Sequence, residues 1–311
     1  YQEVTGVQTC ALPISEMMPI LSGGKDRWYR PSDVAVGPDG SLFIADWYDP
    51  GVGGHGMRDL DRGRIFRVVP EGHNGYKFAK RDFKSLEGAI SGLLSSDLES
   101  RYLGWNALHE MGVEKTQDAL MKLISDKDKI KRARAAWCLG KMPGAGKMVI
   151  DKISKDLDSD LRIVAIRLAR QLNSDVVNLI TMLSNDKSPQ VRRECAIALR
   201  ELDVEEVPKL WAKLALQHDG KDRWYLEALG IAAEGKWDEC FKAWIGSGGQ
   251  WNTKAGKDIV WRSRSKMAPE LLVKIVKDPS TKEEEKPKYM RAFDFHSGPE
   301  KELALQSLLL E

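Results

Sequence analysis

The chain has 311 residues and carries 48 lysines and arginines against 46 aspartates and glutamates, a formal charge of +2. That length accommodates two units of ordinary size, and so even a balance gives no electrostatic reason to expect a nucleic acid or another polyanion as partner. The early apolar patch from Met17 to Leu21 is far too short to span a bilayer, and no run of eighteen or more apolar residues occurs, so no membrane contact is expected from this segment.

In chain order, the stretch from Val4 to Ile14 matches one reading frame of a common short-read sequencing adapter. Residues 1–15 are therefore expected to be an unstructured assembly artefact, with the natural N-terminus elsewhere, and Cys10 is set aside with them. Cys138, Cys195 and Cys240 remain, each among apolar residues in a helical pattern and with no C-x-x-C pair. Burial as small hydrophobes is the expectation for all three, with neither zinc nor covalent haem attached here.

Residues 16–75 read as β structure. Asp33 to Val36 and Ser41 to Trp47 flank Pro38, Asp39 and Gly40, a hairpin signature with proline at the second turn position and glycine where a positive φ is needed. A third run follows from Arg64 to Val69. Three strands alone leave one apolar face wet, so they are expected to be the C-terminal strands of a larger sheet, such as a β-propeller blade. The loop between the second and third runs gathers Asp46, Asp49, His55 and Arg58 among five glycines. That mixture could hold a divalent cation such as calcium, or the polar rim of a quinone, because glycine lets the backbone approach a ligand. These four are the candidate cofactor-binding residues, while no catalytic and no metal centre is assigned.

After a linker at 76–82, residues 83–311 repeat. The segments centred on Arg101, Arg132, Arg162, Arg192 and Arg223 superpose at steps of 31, 30, 30 and 31 residues. Four residues before the arginine stands Asp97, Asp128, Asp158 or Asp219, with Ser188 followed by Pro189 in the fourth copy, which predicts an N-capped second helix in each repeat. First helices are predicted at, for example, 117–124 and 176–183. A lone hairpin of this kind cannot bury its apolar stripe, so neighbouring copies must stack. The fold class expected is mainly α, a HEAT-like α-solenoid preceded by a small remnant of a propeller blade. The pattern resembles the HEAT family, whose arginine at the head of each second helix forms a ladder with turn aspartates, and this implies a structural role for the five arginines. Trp237, Trp244, Trp251 and Trp261 are expected to fill a wider gap where the period loosens, and 281–288 reads as a charged linker. A last helix is expected at 300–310, with the chain continuing past it. Between 121 and 170 basic residues outnumber acidic ones, but without interleaved aromatics, so no nucleic-acid partner is expected.

Taken together, Trp28 to Val34, Ala45 to His55, Val260 to Arg264 and Arg291 to Phe295 look like the large membrane-bound dehydrogenases of planctomycete type. The resemblance implies a sugar-dehydrogenase-like propeller, then HEAT repeats, then a cytochrome c domain holding haem c, in an extracytoplasmic oxidoreductase. In that setting this chain would be an inactive scaffold fragment linking propeller to haem domain, its partners being the protein's own remaining domains or another protein. The alternative is a HEAT-repeat protein–protein interaction module without a redox role.

Overall fold

A computed structural model describes residues 20–37, 39–48, 61–73 and 80–309. Three strands, β1 (Pro31–Val36), β2 (Leu42–Asp46) and β3 (Arg64–Val68), form an antiparallel sheet in the order β1-β2-β3. Val36 pairs with Leu42 and Val34 with Ile44, while Leu42 pairs with Val68 on the other side. The Gly40 N–H donates to the Gly37 carbonyl at 2.8 Å, and Gly40 takes φ +81°, which makes it the residue that lets so short a hairpin close. β1 is exposed at all six positions, including Val34 and Val36. The predicted residues 1–15 and the stretch 74–79 lie outside the described residues, as do Asp49, His55 and Arg58.

From Leu86 onward the chain is helical. The first four hairpins pair α1 (Leu86–Leu93) with α2 (Leu98–Met111), α3 (Val113–Ile124) with α4 (Lys129–Gly140), α5 (Gly146–Ile153) with α6 (Ser159–Gln171), and α7 (Val176–Leu183) with α8 (Pro189–Leu199). Next come α9 (Val207–Ala215), α10 (Arg223–Ala232), α11 (Trp237–Gly246), α12 (Lys254–Arg262), α13 (Ala268–Lys277) and α14 (Lys286–Ala292). A 3-10 turn (Phe293–Phe295) and α15 (Pro299–Leu309) close the described chain. The second helices α4, α6, α8 and α10 pack on one another in sequence, and α10, α12 and α14 continue the series, which makes the helical part an α-solenoid.

Local sequence explains the helix starts. The side chains of Ser85, Asp97, Asp128, Asp158, Asp175, Asp222 and Thr253 each accept a backbone N–H of the first helical turn, a contact that stabilises by about 1 kcal/mol each. Between those starts, small residues set the spacing. Ala135, Ala136, Ala165, Ala169, Ala196 and Ala198 are buried in the second helices α4, α6 and α8. α1 and α2 approach closely, so that a Cβ at Gly104 would fall 2.6 Å from the Ala89 carbonyl oxygen and 2.4 Å from the Leu93 nitrogen. Only glycine fits where two helix backbones come that near.

Three expectations are corrected. The cap of α10 is Asp222, not Asp219, which instead accepts the N–H groups of Lys221 and Asp222. Ser188 sits at the cap of α8 without a side-chain cap bond, its Oγ meeting Gln190 Oε1 at 2.8 Å, and proline in the first turn marks the helix start. The stretch 281–288 is a linker only as far as Glu285: it forms the turn between α13 and α14, in which Thr281 is buried against the Lys257 ammonium at 2.8 Å, and α14 begins at Lys286. The run of charges concealed a helix because its apolar partners, Tyr289 and Ala292, lie further along.

The tryptophans sit where pairing changes. α11 packs on α9, with Trp237 edge-on to Trp211 at 5.9 Å and Trp244 buried against Phe241 at 5.3 Å. Trp251 and Trp261 pack partly buried against the same core. Large aromatic rings fill the wider space left when consecutive helices no longer form a hairpin.

Candidate functional site

Asp46, at the end of β2, is buried and held inside the sheet. Its Oδ1 accepts the N–H of Arg30 at 2.7 Å and of Tyr48 at 3.1 Å, and its Oδ2 accepts Arg64 Nε at 2.6 Å. Burial alone would raise its pKa, but the Arg30 and Tyr48 N–H groups and the Arg64 guanidinium outweigh it and hold the carboxyl below the usual range. Arg64 also reaches Asp26 at 2.8 Å and lies 4.7 Å from the centre of the Tyr48 ring. Asp46 therefore ties the strand ends to the preceding loop. Among the described residues no group of three or more His, Cys, Asp or Glu side chains is placed to hold a metal ion.

The repeat arginines divide into two sets. Arg132 contacts both carboxylate oxygens of Asp156 at 2.9 Å and Asp158 at 3.3 Å. Arg162 grips Asp186 with Nε at 2.6 Å and its second amino group at 2.8 Å, and donates to the carbonyls of Asp156 and Leu157. Arg192 donates to the Asp186 carbonyl at 2.6 Å and lies 5.6 Å from the Tyr225 ring centre. The turns at 156–158 and at 186 thus each serve two arginines, one through an aspartate side chain and the next through the backbone, so Arg132, Arg162 and Arg192 stand in one connected file. Arg223 does not join it. Because α10 starts at Arg223 itself, the position four after the cap is Leu226, and Arg223 pairs instead with Glu227 at 2.8 Å. Arg101 occupies the matching place in α2 but meets no carboxylate among the described residues, and its buried Nε has no hydrogen-bond partner.

Asp126, Asp156 and Asp186 were missed as a set. Each lies two residues before a cap and accepts the cap residue's own N–H, at 2.9, 2.8 and 2.8 Å. Their regular 30-residue spacing was available in the sequence, but the capping aspartates nearby drew the alignment.

A concavity of about 660 Å³ opens between α2 and α4. Its walls are mostly apolar: Leu98, Tyr102, Trp105, Ile130 and Trp137 line it. Leu98, Tyr102 and Ile130 are 56%, 67% and 57% exposed. Trp105 stacks on His109 at 4.9 Å, which fixes one wall, and burial holds that histidine below its ordinary pKa. The trough between α6 and α8 differs in kind. It is lined by Arg167, Arg170, Glu194 and Glu201, which pair off at 2.8 Å (Arg167 with Glu194) and 3.1 Å (Arg170 with Glu201). Sequence reading passed over Tyr102 and Ile130, whose signal is an apolar side chain lying off the core stripe of its helix.

Cys138, Cys195 and Cys240 are free and buried. Burial pushes the thiols of Cys138 and Cys240 up to about 12 and that of Cys195 higher still, which removes thiolate chemistry at neutral pH.

The protein is, by class, an α-solenoid with a small antiparallel sheet ahead of it, and within the described residues no helix is long and apolar enough to cross a membrane. A family described as a domain of unknown function (DUF7133) matches residues 20–72, the part that contains the sheet. No curated protein matches the chain. Among solved structures, an engineered protein from the Northeast Structural Genomics Consortium is similar over 68% of this chain and 67% of its own, at 18% identity and a TM-score of 0.34.

Proposed function

We propose that this chain is a scaffold that docks a partner in the groove between α2 and α4. The observation that supports this is the groove itself: a volume of about 660 Å³ falls within the roughly 300–1,000 Å³ range of ligand clefts, and large apolar side chains stand exposed at its rim, where a solenoid normally presents its binding surface. Groups placed for catalysis do not accompany it, since its polar members are Arg101, Asn106, Lys129, Arg134 and Asp160, without a histidine, cysteine or serine. The neutral solvatochromic dye Nile red tests the reading. Its emission should shift to the blue and saturate with the wild-type chain, and Tyr102→Asp or Ile130→Asp should cut that signal at least fivefold. A signal equally strong in both variants would place the dye elsewhere and end this reading.

A second reading concerns the setting of the scaffold. The exposure of Val34, Val36 and Ile65 on a three-stranded sheet favours a parent protein in which these strands pack against further β structure. Combined with the sequence resemblance to propeller-bearing dehydrogenases, this supports an extracytoplasmic oxidoreductase in which the helical stack spaces a propeller from a haem c domain. Haem staining of the full-length parent after denaturing electrophoresis should show covalently bound haem, and an unstained band discards the redox setting while leaving the docking groove untouched.

A further inference from the structure

The α2–α4 groove holds an uncompensated charge. Four charged side chains line it, namely Arg101, Lys129, Arg134 and Asp160. Lys129 and Asp160 close on each other at 2.8 Å, which removes one cation and the single anion. Two guanidiniums remain. Arg134 donates to the carbonyls of Ser95 at 2.8 Å and Leu93 at 3.4 Å, groups that carry no net charge. Arg101 has its Nε shielded from solvent and unbonded. Burial, and after it the positive charge of Arg101, hold Arg134 below the ordinary arginine value, and the carboxylate of Asp128, outside the groove's lining, offsets this only in part. In the same molecule Arg132 and Arg162 each hold an aspartate, whereas among the described residues neither Arg101 nor Arg134 forms an ion pair within this groove.

Two part-buried cations of like sign between aromatic walls repel one another more strongly than they would in water, and a carboxylate placed between them would relieve both through charge-assisted bonds. The walls add a second requirement. Tyr102, Trp105, Ile130 and Trp137 offer apolar contact that a phosphate backbone does not use. Because the trough is open along its rim, a chain can lie in it. Amphipathic segments dock into such troughs through apolar side chains at i, i+3, i+4 and i+7.

We propose that the groove between α2 and α4 binds an acidic amphipathic peptide segment of a partner protein, its apolar side chains filling the space between Tyr102, Trp105, Ile130 and Trp137 and a carboxylate bridging Arg101 and Arg134. This rests on the docking role given above and adds the chemistry of the occupant.

The test uses the full chain and a fluorescein-labelled peptide with leucine and phenylalanine at helical spacing and glutamate between them, read by fluorescence anisotropy. A twin peptide carries glutamine in place of every glutamate. The glutamate peptide should bind at least tenfold more tightly than its twin, and combining Arg101→Gln with Arg134→Gln should erase that preference while Nile red binding persists. Arg101→Lys, which keeps the charge but not the two-pronged contact, should retain an intermediate preference and guards against a double variant that fails to fold. Equal binding of the two peptides, or a preference that survives in the double variant, overturns the proposal. If neither peptide binds while the dye still reports Ile130→Asp, the acidic occupant is overturned and the docking groove stands. If the dye is insensitive as well, both fall.

Discussion

Asp186→Ala should lower the stability of the central repeats by about 3–5 kcal/mol, the usual cost of removing one member of a buried ion pair. The side chains of Arg162 and Asp186 are 7% and 8% exposed, and the pair is joined by two hydrogen bonds. Removing the carboxylate leaves a guanidinium that cannot withdraw to water, because its other amino group is fixed by the carbonyls of Asp156 and Leu157. Since each repeat contacts its neighbours and little else, the loss should be local. Hydrogen exchange should show amides of α6 and α8 losing protection before those of α12. A change below about 1 kcal/mol would place this pair with exposed ion pairs and show that the file of arginines does not hold the stack. The pair has an acid limit whose direction follows from its surroundings. Burial pushes Asp186 up, but Arg162 and the Ser188 N–H more than offset this and hold it below the ordinary carboxylate value. A carboxyl depressed in the folded state contributes its full stabilisation above the unfolded-state pKa, about 3.9, and loses it as pH falls from there through the folded value. Urea midpoints taken from neutral pH downward should therefore fall less steeply for Asp186→Ala than for the wild type.

Trp211→Ala should cost a similar amount, about 3–5 kcal/mol, for a different reason. Trp211 is fully buried in α9, its indole N–H donates to the Leu229 carbonyl at 2.8 Å, and its ring meets Trp237 edge-on at 5.9 Å. Truncation empties a large volume between α9, α10 and α11 and takes one of two donors from the Leu229 carbonyl, which keeps the Ala233 N–H. Trp211→Phe, which keeps most of the volume but not the donor, should recover more than half of the loss. Thermal unfolding followed by far-UV circular dichroism measures both variants. Near-equal midpoints for Trp211→Ala and the wild type would mean that the irregular segment repacks around the gap, and that the aromatic cluster does not join the two halves of the stack.

Much of the architecture was legible because its causes are local. Asp97, Asp128 and Asp158 cap helices from the positions their spacing indicated, and capping requires only a short polar side chain and a free N–H within the next turn. Pro38, Asp39 and Gly40 marked the hairpin for a similar reason, since the positive φ of Gly40 is a property of that one residue. The period near 30 failed at Arg223 because superposing arginines weights one residue type. The physical frame of each repeat is its cap, and at Asp222 the cap stands immediately before the arginine rather than four residues ahead of it. The burial of Thr281 is not legible locally for a comparable reason: it depends on the Lys257 ammonium, 24 residues away.

The candidate site was less legible than the fold. Arg101 and Arg132 look alike in sequence, each four residues after a capping aspartate, yet one binds two aspartates and the other none. The following turns are alike as well, Asp126 and Asp128 against Asp156 and Asp158, so the difference lies in how the helices pack and not in residue type. The sequence by itself determined the helical period, the caps, the hairpin turn and the apolar stripes that oblige helices to stack, because these follow from backbone geometry and side-chain chemistry within a few residues. Tertiary structure alone decided which arginines share a turn, where α9 turns from its hairpin partner to α11, and that Tyr102, Ile130 and two unpaired guanidiniums meet in one groove. Those outcomes depend on distances between side chains some thirty residues apart, which close packing sets and a linear pattern does not encode.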